Sequence, residues 1–171
     1  MFYLFILFLD RTVPRVGVCW FPWGLHRNLI LRDIDLLKQF KNIEIGFTIN
    51  SFTGTTKKLF EPDAPTSANR IKALRVLKKK GFKTYIFVSP IIPGLIDLEN
   101  IIAKTRNYSD YYWFEFLNLR GAGKQFAETL KKEFPKSYEI ITDKTKFQQF
   151  VKNCKKIIRS QNIKVRGVEI H

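Results

Sequence analysis

Hydrophobic and polar side chains alternate strictly over residues 43–50. One face is apolar and the other is small and polar, and this period of two residues predicts a strand. Apolar residues then recur at helical spacing over residues 68–80, with Thr66 as the predicted N-cap and Gly81 just beyond the end. Residues 83–90 form a second predicted strand. A helix of this length between two strands predicts a right-handed β-α-β unit with parallel strands.

The rest of the chain continues this alternation of helices and strands. In order, the pattern predicts a helix after residue 28, a helix over 98–106 capped by Asp97, an aromatic strand over 111–118, a helix over 121–133 ended by Pro135, a long helix capped by Asp143 and a strand over 163–170. Glu115 is the one charge inside the aromatic strand, and a buried charge must be paired or functional. Cys154 lies on the apolar stripe of the long helix, which predicts a buried thiol. The whole pattern predicts an α/β fold.

Several blocks of sequence carry a resemblance to a known family. They are RDIDLL at 32–37, GFTIN at 46–50, EPDAP at 61–65 with Arg70 beyond it, FVSPIIPGL at 87–95 and WFEFLNLRG at 113–121. In this order the blocks resemble radical S-adenosylmethionine (SAM) proteins, specifically the spore photoproduct lyase-like or DNA repair photolyase group. The resemblance covers residues 28–171 as one domain, and it implies a partial (β/α) TIM-type barrel with parallel strands.

The resemblance also implies a cofactor site at the carboxyl ends of two strands. It places Thr48, Asn50 and Ser51 against the ribose and methionine of SAM, and Val88, Ser89 and Pro90 behind its adenine. Short hydroxyl and amide side chains suit such a polar pocket. The alternative is that Thr48 and Asn50 only complete hydrogen bonds at the top of the barrel.

The iron–sulfur part of that family's site has no counterpart in the sequence. The family holds a four-iron four-sulfur cluster on three cysteines of a Cys-x3-Cys-x2-Cys loop, because each of those irons needs a thiolate. This chain has two cysteines, Cys19 and Cys154, far apart in sequence. We therefore expect no metal ligands and no activity of the chain alone. Residues 1–27 match the family poorly, which suggests a truncated or frame-shifted gene product.

Composition adds a second hypothesis about function. A chain of 171 residues predicts one domain and falls short of the roughly 250 residues of a complete barrel. The net charge of +15 predicts a nucleic-acid partner, unless the lysines only solvate the helices. A non-enzymatic nucleic-acid-binding module would use the lysines of the last two predicted helices, Lys131, Lys132, Lys144, Lys152, Lys155 and Lys156. A third hypothesis is a defective gene fragment with no function of its own.

Three further predictions concern the chain's surroundings and its surface. Two cysteines without a disulfide pattern indicate a reducing compartment, so a cytoplasmic location is expected. The apolar run at 2–9 is too short for a membrane span and is expected to cover the sheet edge along 43–50; an uncovered edge would favour self-association. Arg32 and Asp33 are predicted to form a surface ion pair, and Glu61 is predicted to pair with Arg70.

Overall fold

The computed structural model describes residues 4–8, 17–20 and 29–171. Its strands are β1 Leu4–Phe8, β2 Gly17–Trp20, β3 Ile43–Thr48, β4 Lys83–Ile91, β5 Tyr111–Phe116 and β6 Val165–Glu169. Its α-helices are α1 Leu29–Arg32, α2 Ile34–Leu37, α3 Gly54–Phe60, α4 Ser67–Lys79, α5 Leu98–Thr105, α6 Leu119–Ala122, α7 Lys124–Glu133, α8 Pro135–Thr142 and α9 Lys144–Ser160. A short 3-10 helix, Arg106–Tyr108, follows α5.

The strands form one sheet in the order β2-β1-β3-β4-β5-β6. Strands β3 to β6 are parallel and lie in the order of the sequence, so each connection crosses to the next neighbour. The protein is therefore an α/β protein with a four-stranded parallel sheet flanked by helices. Strand β1 pairs antiparallel with β3, with Leu4 opposite Phe47 and Phe8 opposite Ile43. This confirms that the N-terminal apolar run covers the edge at 43–50.

Helices α4, α5 and α9 pack on one face of the parallel sheet. Alternate residues of β3, β4 and β5 contribute to that core, among them Ile45, Ile86 and Phe114, each 0% exposed. Leu74 of α4 and Ile102 of α5 belong to the same cluster, as do Val151, Cys154 and Ile158 of α9. Because one continuous core joins the three helices to the same set of strand residues, these helices share one side of the sheet.

A second, smaller core closes the carboxyl ends of the strands. Phe52, Ile92 and Leu117 follow β3, β4 and β5, and they pack with Phe60 of α3 and Leu130 of α7. The Phe60 and Phe126 rings lie 4.5 Å apart between centroids. This cluster holds α3, α7 and α8 beside the strand ends.

The predicted helix caps are confirmed. The side chains of Thr66, Asp97 and Asp143 each accept a hydrogen bond from the backbone N–H three residues later. Such a side chain satisfies a donor that the first helical turn leaves without a partner. The same geometry recurs at Asn118, which caps the short α6.

Four predictions of local structure are wrong in detail. The helix expected over 121–133 is divided into α6 and α7 by Gly123, whose φ of +90° is not a helical value. Pro135 does not end the helical region but opens α8, because proline at a first helical position needs no N–H partner. The loop expected between β3 and α4 contains α3, and the helix expected after residue 28 is interrupted at Asp33.

Candidate functional site

Polar side chains gather where β3, β4, β5 and β6 end, and we call this side of the sheet the carboxyl edge. Parallel strands bring their carboxyl ends to the same edge, which is where ligands bind in α/β proteins. The residues predicted from the sequence at this edge lie in two groups. One group surrounds Asn50 and the other surrounds Ser89.

The group around Asn50 is centred on a buried ion pair between Glu61 and Arg70. Glu61 is 1% exposed and Arg70 is 8% exposed. The two Glu61 oxygens accept from the Asn50 amide and from Arg70 Nη2. Arg70 also donates to the carbonyls of Thr48 at 2.8 Å and Pro65 at 2.9 Å. The predicted Glu61–Arg70 pair is confirmed, and it joins β3, the loop after α3 and helix α4.

Asn50 and Ser51 bond within the chain as well. The Asn50 side-chain oxygen accepts from the Phe52 N–H at 3.2 Å, and its backbone carbonyl accepts from Ser67 Oγ at 2.6 Å. Ser51 Oγ donates to the Leu95 carbonyl at 3.1 Å and accepts from the Asp97 N–H at 2.8 Å. These bonds fix the loop after β3. They are contacts within the chain, and contact of Thr48, Asn50 or Ser51 with a ligand stays a prediction.

The second group lies across three neighbouring strands. Ser89 Oγ on β4 donates to Glu115 Oε2 on β5 at 2.6 Å. The other Glu115 oxygen lies 3.0 Å from Nε2 of His171, which follows β6. Glu115 is 31% exposed and His171 is 36% exposed, so solvent and a ligand reach this Ser89–Glu115–His171 cluster. A carboxylate between a hydroxyl and an imidazole can bind ligand hydroxyl or ammonium groups, and it can exchange a proton with the imidazole.

The other two predicted residues on β4 differ in position. Pro90 is half-buried next to Ser89. The Val88 side chain is fully buried in the core under the helices, because it alternates with Ser89 along the strand. Glu115, which the sequence required to be paired or functional, has both Ser89 and His171 as partners. No role for His171 was predicted from the sequence. Parallel pairing of the last strand would have placed it at the carboxyl edge, but its approach to Glu115 depends on the register of β5 and β6.

Aromatic rings cover part of the face opposite the helices, which we call the second face. A Cβ on Gly46 would lie 2.1 Å from the Tyr85 ring, so only glycine leaves room for that ring across β3. The Tyr85 ring stacks on Tyr111 with centroids 5.0 Å apart. On the other side, a Cβ on Gly167 would lie 2.6 Å from Trp113. The aromatic rings of Tyr85, Tyr111 and Trp113 therefore cover the middle of the second face.

A buried carboxylate lies on the second face at the amino ends of the strands. Glu44 is 3% exposed and contacts Lys83, Arg166 and the Tyr111 hydroxyl, with Arg166 Nη1 at 2.8 Å. Burial alone would raise the pKa of Glu44. Hydrogen bonds from Lys83 and Tyr111, with the charges of Lys83 and Arg166, outweigh burial and hold this pKa below its usual value.

Because the pKa of Glu44 is lowered, the free energy of unfolding should decrease as the pH is lowered into the acid range. A lowered folded-state pKa means that the carboxylate stabilises the fold above its unfolded pKa of about 4.3, and that this stabilisation is lost as pH falls through the folded pKa. We expect Glu44→Gln to flatten the pH dependence of the free energy of unfolding below about pH 4.5, measured by urea titration. The exposed Glu99→Gln variant is the control. An unchanged slope in Glu44→Gln would contradict the assignment.

Metal-ligating side chains do not converge in the described ranges. No group of three or more His, Cys, Asp or Glu there is placed to hold a metal ion. The predicted buried thiol is confirmed, because Cys154 is 5% exposed and burial raises its pKa to about 11. Cys19 lies on β2, and its side chain is outside the described residues. The Arg32–Asp33 ion pair is confirmed at the surface, with 2.8 Å between Nε and Oδ1.

The six lysines predicted to bind nucleic acid lie on α7 and α9. Lys155 is half-buried and the other five, Lys131, Lys132, Lys144, Lys152 and Lys156, are exposed. Among residues 4–8, 17–20 and 29–171, no helix is long and apolar enough to cross a membrane. Partner and location otherwise stay predictions.

Fold and site together define an α/β protein with a half-exposed polar cluster at the carboxyl edge of a parallel sheet. The chain is 45% identical over 144 residues, or 84% of its length, to an uncharacterized protein of Methanocaldococcus jannaschii. It is also 29% identical over 111 residues, or 60% of its length, to an uncharacterized protein of Acidianus two-tailed virus. The aligned parts cover 55% and 37% of these relatives. No protein-family model matches the chain, and no solved structure matches it.

Proposed function

We propose that residues 28–171 supply the later strands of a (β/α) TIM-type barrel of the radical SAM, spore photoproduct lyase-like group. In this proposal the carboxyl edge binds the adenosyl part of SAM. The observation that carries the proposal is the sequential parallel order of β3 to β6, with α4, α5 and α9 packed on the same side of the sheet. A doubly wound sheet reverses its strand order and carries helices on both faces, whereas a barrel does neither.

The second face supports the proposal because it would become the interior of such a barrel. Its half-exposed polar groups lie at the carboxyl edge, where barrel enzymes bind substrates. Ser89 and Glu115 fit the hydroxyl or ammonium groups of an adenosyl amino acid, since one carboxylate accepts several such donors. Asn50 and Glu61 instead hold the loop that borders this site.

The described residues do not fit the iron–sulfur cluster of that family. Cys154 points into the core under the helices, and no three His, Cys, Asp or Glu side chains converge on a metal position in the described ranges. We therefore derive no step through the cluster. The proposal for this chain is limited to binding of the adenosyl ligand, and a defective gene fragment would lack that binding.

Binding of SAM to the purified chain tests the proposal. We expect saturable binding by isothermal titration calorimetry, with affinity about tenfold or more lower in Ser89→Ala and in Glu115→Gln, because each removes a hydrogen bond that involves a charged group. Ser109→Ala, a half-buried serine at the opposite edge, is the matched control. Absence of saturable binding to the unaltered chain, or an equal loss in Ser109→Ala, would overturn the proposal.

A further inference from the structure

The charge of the protein is distributed unequally between the two edges of the parallel sheet. Four segments, 38–44, 78–84, 104–111 and 159–166, return from helices to the starts of β3, β4, β5 and β6. They form the amino edge, opposite the carboxyl edge. These segments contain eleven Lys or Arg and two acidic residues. The connections at the carboxyl edge, 49–67, 92–98 and 117–144, contain eight Lys or Arg and seven acidic residues.

Both acidic residues of the amino edge form ion pairs with cations of the same edge. Glu44 is paired with Lys83 and Arg166. Asp110 accepts from Lys78, and the Thr84 N–H donates to its other oxygen at 2.8 Å. Burial raises the pKa of Asp110, but these hydrogen bonds and the Lys78 charge outweigh it and lower that pKa. The other cations of this edge are exposed and form no salt bridge with a residue in the described part of the chain.

Several of these cations are exposed and form no ion pair within the described ranges. Lys80 follows α4, Lys104 lies in the last turn of α5, and Lys164 precedes β6. They come from three successive return segments, so fold topology collects them on one edge although they are far apart in sequence. With strands about 4.8 Å apart, the span from β3 to β6 is about 14 Å.

A polar cleft opens on this edge between the starts of β5 and β6. Its volume is about 270 Å³, and Arg106, Ser109, Asp110, Asn162 and Lys164 contribute to its lining. Arg106 is held in place because its Nη2 donates to the Gln161 carbonyl at 3.1 Å. Because Arg106 and Lys164 stand on opposite sides of the cleft, both can donate hydrogen bonds to one phosphate group. The neighbouring lysines of the edge can contact the preceding and following phosphates of the same nucleic-acid strand.

We propose that the amino edge binds the sugar-phosphate backbone of a nucleic acid, with Arg106 and Lys164 flanking one phosphate. This proposal is independent of SAM binding, because it concerns the opposite end of the strands. Phosphate contacts supply most sequence-independent affinity for nucleic acids. An anionic membrane fits less well. Adsorption to lipid needs an apolar face beside the cations. Of the five exposed large apolar residues in the described ranges, two lie in the return segments, Phe40 and Val165, and they are at opposite ends of the edge.

A charge-matched pair of triple variants tests the location. The edge variant carries Lys80→Gln, Lys104→Gln and Lys164→Gln, and the control carries Lys136→Gln, Lys144→Gln and Lys152→Gln on α8 and α9. Binding of a labelled single-stranded DNA of about 20 nucleotides is followed by fluorescence anisotropy over a range of salt. We expect the edge variant to lose about tenfold or more in affinity and its salt slope to fall by about two, with little change in the control.

Additional measurements separate the other outcomes. Thermal unfolding will check that both variants fold. None of the six lysines forms an ion pair in the described part of the chain, so no salt bridge is lost in either variant. Equal losses in the two variants would mean that only net charge matters and would overturn the proposal. Stronger edge-dependent binding to phosphatidylserine vesicles than to DNA would assign the edge to a membrane instead. Displacement of DNA by inorganic phosphate at low millimolar concentration would reduce the site to a free-anion cleft.

Discussion

Replacing Arg70 with Met should lower the free energy of unfolding by about 3–5 kcal/mol, because it leaves a buried carboxylate without its cation. Glu61 is 1% exposed, so water cannot replace the guanidinium without opening the loop after α3. The Thr48 and Pro65 carbonyls lose their Arg70 donors as well. Urea unfolding at about pH 7 measures the loss.

Two further variants separate the buried charge from other effects of the substitution. Arg70→Met combined with Glu61→Gln removes the charge and keeps an acceptor for the Asn50 amide, so it should recover a large part of the loss. Arg32→Met breaks the exposed ion pair with Asp33 and should leave stability nearly unchanged. A loss in Arg70→Met no larger than that in Arg32→Met would show that the Glu61–Arg70 pair does not hold this edge together.

Features that depend on nearby residues were predictable from the sequence. The caps at Thr66, Asp97 and Asp143 follow from a side chain and an N–H three residues apart, and no distant contact is needed to form them. The parallel unit follows from a helix between two apolar strands. The pairing of the N-terminal run with β3 followed from an exposed edge and one uncommitted apolar segment.

Features that depend on register or on distant packing were missed. The Ser89–Glu115–His171 cluster requires β5 and β6 to pair with the irregularity after Tyr112, which no local pattern specifies. Helix α8 was missed because Pro135 either ends one helix or starts another, and packing against α7 and the second core decides between them. Val88 was assigned to the cofactor site by resemblance. Its side chain lies in the core under the helices, and contact with a ligand stays a prediction.

The gathering of cations at the amino edge shows how a local preference has a global consequence. Lysine and arginine are favoured in the last turn of a helix because they oppose its dipole. Lys78 and Lys79 end α4, Lys104 ends α5 and Arg159 ends α9. Parallel connections return every such helix end to the same side of the sheet. The sequence shows the individual cations, and the strand order brings them together.

Replacing Phe114 with Ala should lower the free energy of unfolding by about 3–5 kcal/mol, which is the usual cost of removing a buried phenyl ring. Phe114 is 0% exposed in β5, an inner strand that pairs with β4 and β6, and it belongs to the core that also includes residues of α5 and α9. Tyr112 stacks on it with ring centroids 5.9 Å apart. The packed helices cannot collapse fully into the space, so part of the cost is a cavity.

The neighbouring Trp113 provides the comparison that tests the arrangement of helices. Its side chain points to the second face, lies over Gly167 and is half-buried. If α4, α5 and α9 cover only the Phe114 side, Trp113→Ala removes a larger ring at a smaller cost, because solvent can fill the space. Urea unfolding of both variants at the same pH measures the difference. Equal losses would mean that the second face around Trp113 is packed as tightly as the face under α4, α5 and α9, which would contradict the half-exposed second face at the carboxyl edge.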